Sequence, residues 1–145
     1  MDNQNSYIIN STCFNKDKDC LFCCTNQGFI IFNVKPFRQL IKKTFQGGFN
    51  FGYMYKRSNL FFLVGTGINS DYPTNRIVIW DEKEKKKIAE ISINEKIEGF
   101  TVSSKIFIFS KKTVYIYDFD TLSKLDEFTI VAYSLVSYFK DDNHL

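Results

Sequence analysis

An all-β fold of repeated four-stranded units follows from three features of this 145-residue sequence. The first is a succession of short apolar segments separated by turn residues, with no stretch of sustained helical periodicity. The second is a repeated strand ending. Phe29-Ile30-Ile31-Phe32-Asn33, Ile77-Val78-Ile79-Trp80-Asp81 and Val114-Tyr115-Ile116-Tyr117-Asp118 each close on an aromatic followed by Asn or Asp. Their aromatics are 48 and 37 residues apart, on either side of the ~40–45 of a WD-type repeat. The third is that these strands are apolar on both faces. Val78 and Trp80 point one way and Ile77 and Ile79 the other, and sheets stacked face to face bury both sides where a single-faced sheet would expose one. Together these predict an all-β WD-repeat β-propeller: about three four-stranded blades plus the first strand of a fourth, a partial ring. An ordinary β-sandwich with coincidentally similar strands is the alternative.

In chain order, the first blade is expected over about 7–45. Tyr7–Ile9 and Thr12–Phe14 open it, the polar turn Asn15–Asp19 follows, then the apolar run Cys20–Thr25. Asn26-Gln27-Gly28 is a tight turn, Phe29–Asn33 the third strand and Phe37–Phe45 the outer one. Gly47-Gly48 marks the boundary to a second blade, about 47–93. It comprises Phe49–Tyr55, a turn at Lys56–Asn59, Leu60–Val64, the long loop Gly65–Asn75, Arg76–Trp80, a hairpin turn over Asp81–Lys86 and Lys87–Ile93. The third blade, about 96–130, has Ile97–Val102, Lys105–Phe109, Thr113–Tyr117 and Lys124–Ile130. A fourth begins at about 132–145. Closed propellers have typically four to eight blades, so the chain is expected to be the N-terminal part of a longer ring.

Composition removes several function classes. Formal charge is +3 and the pI about 8.6, with acids interleaved among the bases; this is too weak a basic signal for nucleic acid. The start, Met-Asp-Asn-Gln-Asn-Ser, lacks the charged and apolar regions of a signal peptide. The most apolar run, Leu60–Val64, falls far short of the ~20 residues that span a bilayer. A soluble cytosolic protein is the simplest expectation.

The four cysteines, Cys13, Cys20, Cys23 and Cys24, invite a redox or zinc reading through Cys20-x-x-Cys23. A redox pair would open a helix, and these lie in a strand-like run, where residues three apart face opposite sides. A zinc site needs a second ligand pair, and the single His is His144. Small, free, apolar core residues are the expectation. Gly65-Thr66-Gly67 lacks the helix and Gly-Lys-Ser/Thr ending of a phosphate loop. Lys83–Lys87 reads as a solvated hairpin of mixed charge, Trp80 as core, and Asp81 as a turn partner. No catalytic residue, cofactor or metal ligand is indicated.

Ordered strings then carry a resemblance to one family. Phe14-Asn15-Lys16-Asp17, Gly28-Phe29 and Pro36-Phe37 resemble the first blade of the PROPPINs, the phosphoinositide-binding WD-repeat propellers of autophagy. Gly47-Gly48, Met54–Leu60, Val64–Gly67 and Tyr72-Pro73-Thr74-Asn75-Arg76 through Trp80-Asp81 resemble the second, and Val114–Phe119 the third. The resemblance implies a seven-bladed, non-enzymatic adaptor. It would bind phosphatidylinositol 3-phosphate or the 3,5-bisphosphate and sit peripherally on phagophore or endosomal/vacuolar membranes. The family's lipid motif, Phe/Leu-Arg-Arg-Gly, does not occur here, and Arg38, Arg57 and Arg76 are isolated; the lipid site is expected beyond Leu145. Partners implied are the autophagy lipid-transfer protein or the conjugation machinery. Asn15 and Asp17 match turn positions implicated in the lipid-transfer contact, and the Gly65–Asn75 loop is implicated in partner binding too. Turn chemistry alone would also explain Asn15 and Asp17. The other function reading is a propeller that binds only proteins.

Overall fold

The computed structural model describes residues 6–129; the strand expected over 132–145 lies outside them. Every regular element described is a β-strand. The first sheet holds β1 (Ile9–Phe14), β2 (Cys20–Thr25), β3 (Gly28–Asn33) and β4 (Arg38–Thr44); the second β5 (Phe49–Met54), β6 (Leu60–Gly65), β7 (Arg76–Asp81) and β8 (Lys86–Ser92). The third holds β9 (Gly99–Val102), β10 (Lys105–Phe109), β11 (Thr113–Asp118) and β12 (Lys124–Thr129). In each, strands neighbour one another in chain order and pair antiparallel. The chain divides into two compact units, Met1–Asn94 with the first two sheets and Glu95–Leu145 with the third.

The repeated aromatic–Asn/Asp ending has a structural cause. In all three sheets the ladder between third and fourth strand shifts register at that aromatic: at Ile31/Phe32, Ile79/Trp80 and Ile116/Tyr117. The residue left unpaired opposite is Leu40, Ile88 or Leu125, each eight residues after its aromatic. A bulge of this kind bends and twists the outer strand. The following Asn or Asp holds the turn that leads into it. Asp81 Oδ1 accepts from the Lys83 and Glu84 amides at 2.9 and 3.2 Å, and Asp118 Oδ2 from the Thr121 amide at 2.8 Å. Asn33 instead donates its Nδ2 to the Pro36 carbonyl at 2.7 Å, across a cis Lys35–Pro36 bond.

The inner strands are buried on both faces, as their patterning requires. Phe61, Phe62, Leu63 and Val64 on β6, and Ile77, Val78 and Ile79 on β7, are all buried. In the first unit, one face of sheet one meets one face of sheet two in an aromatic core. Cys20, Phe22, Cys24, Phe29 and Ile31 lie against Phe49, Met54, Phe61 and Leu63, with Trp80 and Tyr72 at its edge. Phe22 sits edge-on to Phe61 at 5.5 Å, and Phe29 tilts against Phe49 at 5.9 Å. β5 crosses this face closely enough that a Cβ on Gly52 would lie 2.2 Å from the Phe22 ring. In the second unit, Phe107, Val114 and Ile116 form a cluster flanked by Phe109 and Phe128.

Strand starts differ slightly from expectation. The first strand runs from Ile9 to Phe14 rather than starting at Tyr7, and a register shift between Ile9 and Ser11 lies inside it. The ninth begins at Gly99 rather than Ile97, which is buried.

Candidate functional site: a rim of hairpin turns

The first unit brings two of the family-like strings together. The β1–β2 turn, Asn15–Asp19, lies against the β5–β6 turn, Tyr55–Asn59. Asn15 is the pin. It is only 3% exposed, and its Oδ1 accepts from the Asp19 and Cys20 amides at 3.1 and 3.0 Å. Its Nδ2 donates to Asp19 Oδ1 at 2.6 Å and, across the sheets, to the Lys56 carbonyl at 2.7 Å. A side chain with two donors and two acceptor sites matches this set of partners.

Arg57 adds a second cross-sheet link. Its Nη1 donates to the Cys20 sulfur at 2.8 Å and lies 3.6 Å from Asp19 Oδ2. The half-exposed ion pair is worth little by itself; its value here is placement. Lys18 and Lys56 both take left-handed backbone conformations, φ 61° and 53°, uncommon for non-glycine residues and held here by the surrounding hydrogen bonds. The β3–β4 turn joins the same end of the unit through the Val34 amide, which donates to the Asp19 carbonyl at 3.0 Å.

Asp17, by contrast, is exposed at the tip of its turn. Of the two residues expected at a partner face, one therefore shapes the turn from inside and the other presents a carboxylate to solvent. The Gly65–Asn75 loop is fixed at its base. Thr66 donates its hydroxyl to the Gly47 carbonyl, the Gly67 amide to the Tyr72 carbonyl at 3.1 Å, and the Tyr72 ring packs edge-on against Phe49 at 5.1 Å. Its tip exposes Ile68.

The cysteines are free thiols. Burial pushes the Cys24 thiol up to about 12. Cys20 is raised by burial against the opposing pull of Arg57, and burial raises Cys23 as well. Raised thiols are poor nucleophiles and poor metal ligands. Among the described residues no cluster of His, Cys, Asp or Glu could hold a metal ion, and no helix is long and apolar enough to cross a membrane. The Lys83–Lys87 hairpin is internally compensated, Lys85 pairing with Glu82 and Lys87 with Glu90 at 3.1 Å.

Three sequential four-stranded antiparallel sheets, with inner strands buried on both faces and an aromatic–Asn/Asp bulge in each, define blades of a WD-type β-propeller. No family model matches the chain. It is 29% identical over 119 residues to SVP1-like protein 2 of Schizosaccharomyces pombe, covering 81% of the chain and 33% of that protein. It is 30% identical over 105 residues to autophagy-related protein 18e of Arabidopsis thaliana, covering 68% of the chain and 27% of that protein. Kluyveromyces lactis Hsv2 superposes with a TM-score of 0.73 at 23% identity, over 86% of this chain and 37% of that one. KlAtg21, solved in complex with the coiled coil of AgAtg16, gives 0.68 at 22% identity, over 83% and 39%. The chain belongs to the PROPPIN family, and spans about a third of the length of the curated relatives it matches.

Proposed function

We propose that this chain serves a non-enzymatic autophagy scaffold, whose early blades recruit autophagy machinery while 3-phosphoinositides are bound by blades other than these. The observation that carries this reading is the pinned rim of turns. Two strings typical of the family meet there, Asn15 is consumed in shaping the turn, and Asp17 is left facing outward. The proposed contact with the autophagy lipid-transfer protein therefore rests on the Asp17 carboxylate, with Asn15 as its positioning residue. The Atg16 coiled coil held by KlAtg21 supports a partner from the conjugation machinery as a second class. Lipid binding is assigned elsewhere because the three arginines, Arg38, Arg57 and Arg76, are separate in sequence and no Arg-Arg-Gly occurs.

Two measurements test this. In a capture assay with the lipid-transfer protein, Asp17→Lys is expected to weaken binding at least about tenfold, the range in which a lost charge contact at an interface falls. Unchanged capture would remove Asp17 from the contact. In vesicle flotation, the 145-residue chain is expected to show no dependence on phosphatidylinositol 3-phosphate. Flotation that does depend on it would place a lipid site within this chain.

A further inference from the structure

The same end of the first unit carries a concentration of positive charge that neither Asn15 nor Asp17 explains. Lys16 and Lys18 flank Asp17 on the β1–β2 turn, Lys35 and Arg38 border the β3–β4 turn, and Lys56 stands on the β5–β6 turn; all five are exposed. None has a carboxylate partner among the described residues. This contrasts with the β7–β8 hairpin, where Glu82 and Glu90 pair with their lysines. Beside the cations, Phe37 is 71% exposed, its ring stacked at 5.1 Å on Phe32. Stacking fixes the ring while leaving its outer face bare, so it is a preformed apolar anchor.

From this we infer that the tips of the β1–β2, β3–β4 and β5–β6 turns form one docking surface for an acidic segment of a partner protein. Lys16, Lys18, Lys35, Arg38 and Lys56 take its carboxylates, and Phe37 takes an apolar side chain beside them. The inference rests on the reading of this rim as a partner surface and states what chemistry the partner brings. Complementary charge across an interface gives steering and register, and an aromatic anchor supplies the desolvated contact. The turns are locked to one another by Asn15 and Arg57, so the charge pattern is pre-organised and little ordering entropy is lost on binding. A protein is favoured over an anionic bilayer because Asp17 stands among the cations. Against a sheet of phosphates that carboxylate would be repelled, whereas a protein segment can place one hydrogen-bond donor opposite it and so fix its register.

The test uses a fluorescein-labelled peptide of Glu and Leu, with a Gln-and-Leu peptide of the same length as control. The expected result is saturable binding of the acidic peptide, weakened by salt and by at least about tenfold in Lys16→Glu/Lys18→Glu/Lys35→Glu. Phe37→Ser should weaken binding severalfold while leaving its salt dependence unchanged. A charge-matched variant in the second unit, Lys96→Glu/Lys111→Glu/Lys112→Glu, should bind as the parent does. Equal loss in both triple variants would overturn the proposal, since only net charge would then matter. So would binding of phosphatidylserine vesicles, but not peptide, that the first triple variant abolishes. Capture of the lipid-transfer protein with no binding of the acidic peptide would sink this inference and leave the recruitment reading standing. Loss of Asp17-dependent capture with peptide binding retained would do the reverse.

Discussion

At the scale of single residues, the important distinction is between polar groups that face inward and those that face out. Asn15 lies in the first class: all four of its hydrogen bonds go to the protein. Removing its amide leaves the buried Cys20 amide and the part-buried Asp19 amide and Lys56 carbonyl short of partners, so Asn15→Ala should destabilise the fold by about 2–4 kcal/mol, read from chemical denaturation. Asp17→Ala, at the exposed tip of the same turn, should stay within about 0.5 kcal/mol. The pair separates a turn-shaping role from a contact role, which their sequence spacing could not do. The thiols follow the same logic. Desolvation raises all four thiols, so accessibility sets the order: native-state labelling with a thiol reagent should modify Cys13 first, because it is exposed while Cys20, Cys23 and Cys24 are buried; rapid modification of all four before unfolding would contradict that burial.

Glu82 gives a pH-dependent test. Burial pushes its carboxyl up, but hydrogen bonds from Lys85 and Trp80 and the charge of Lys43 outweigh burial and leave it below the ordinary range. A depressed carboxyl stabilises the fold fully above its unfolded value of roughly 4.3, and that contribution fades as the pH falls through the lower folded value. Glu82→Gln should therefore be the less stable form at neutral pH, with the difference closing in acid. Trp80 donates its Nε1 to Glu82 at 3.0 Å, so the intrinsic fluorescence of this single tryptophan reports the change.

At the scale of elements, the bulge at each third-to-fourth strand junction is the repeat's signature. The aromatic–Asn/Asp ending was readable in the sequence. The unpaired Leu40, Ile88 and Leu125 recur at the same positions, but an apolar residue in an outer strand carries no signal until the register shift is known. The close approach of β5 to the first sheet was likewise hidden. Gly52 reads as a weak point in a strand, and only the packing shows that it makes room for Phe22. Gly52→Ala should cost about 1–3 kcal/mol through overpacking, whereas Gly99→Ala, with nothing within 4 Å of the added Cβ, should cost little. Denaturation midpoints compare the two directly.

For the protein as a whole, the face of sheet one turned away from its partner sheet carries a cross-strand row of Phe14, Leu21 and Phe32. The corresponding row in sheet two is Met54, Phe61 and Trp80, and that row belongs to the buried core. Equivalent positions with unequal cover imply an adhesive surface. Phe14→Ser should lower light scattering by the concentrated protein without shifting its melting temperature appreciably, since Phe14 is already half exposed.

The sequence by itself determined the fold class, the family and the identity of the interior strands, because two-faced apolar patterning and repeated strand endings are local properties of the chain. It also left Asn15 and Asp17 as equivalent candidates and dispersed the cations over positions 16 to 56. Tertiary structure alone decided which of them act together. Hairpins distant in sequence meet at one end of the first unit, and a hydrogen bond from Asn15 to the Lys56 carbonyl spans 41 residues. Charge adds up in space rather than along the chain, and burial depends on what a neighbouring sheet covers, so neither could be read before the sheets were placed.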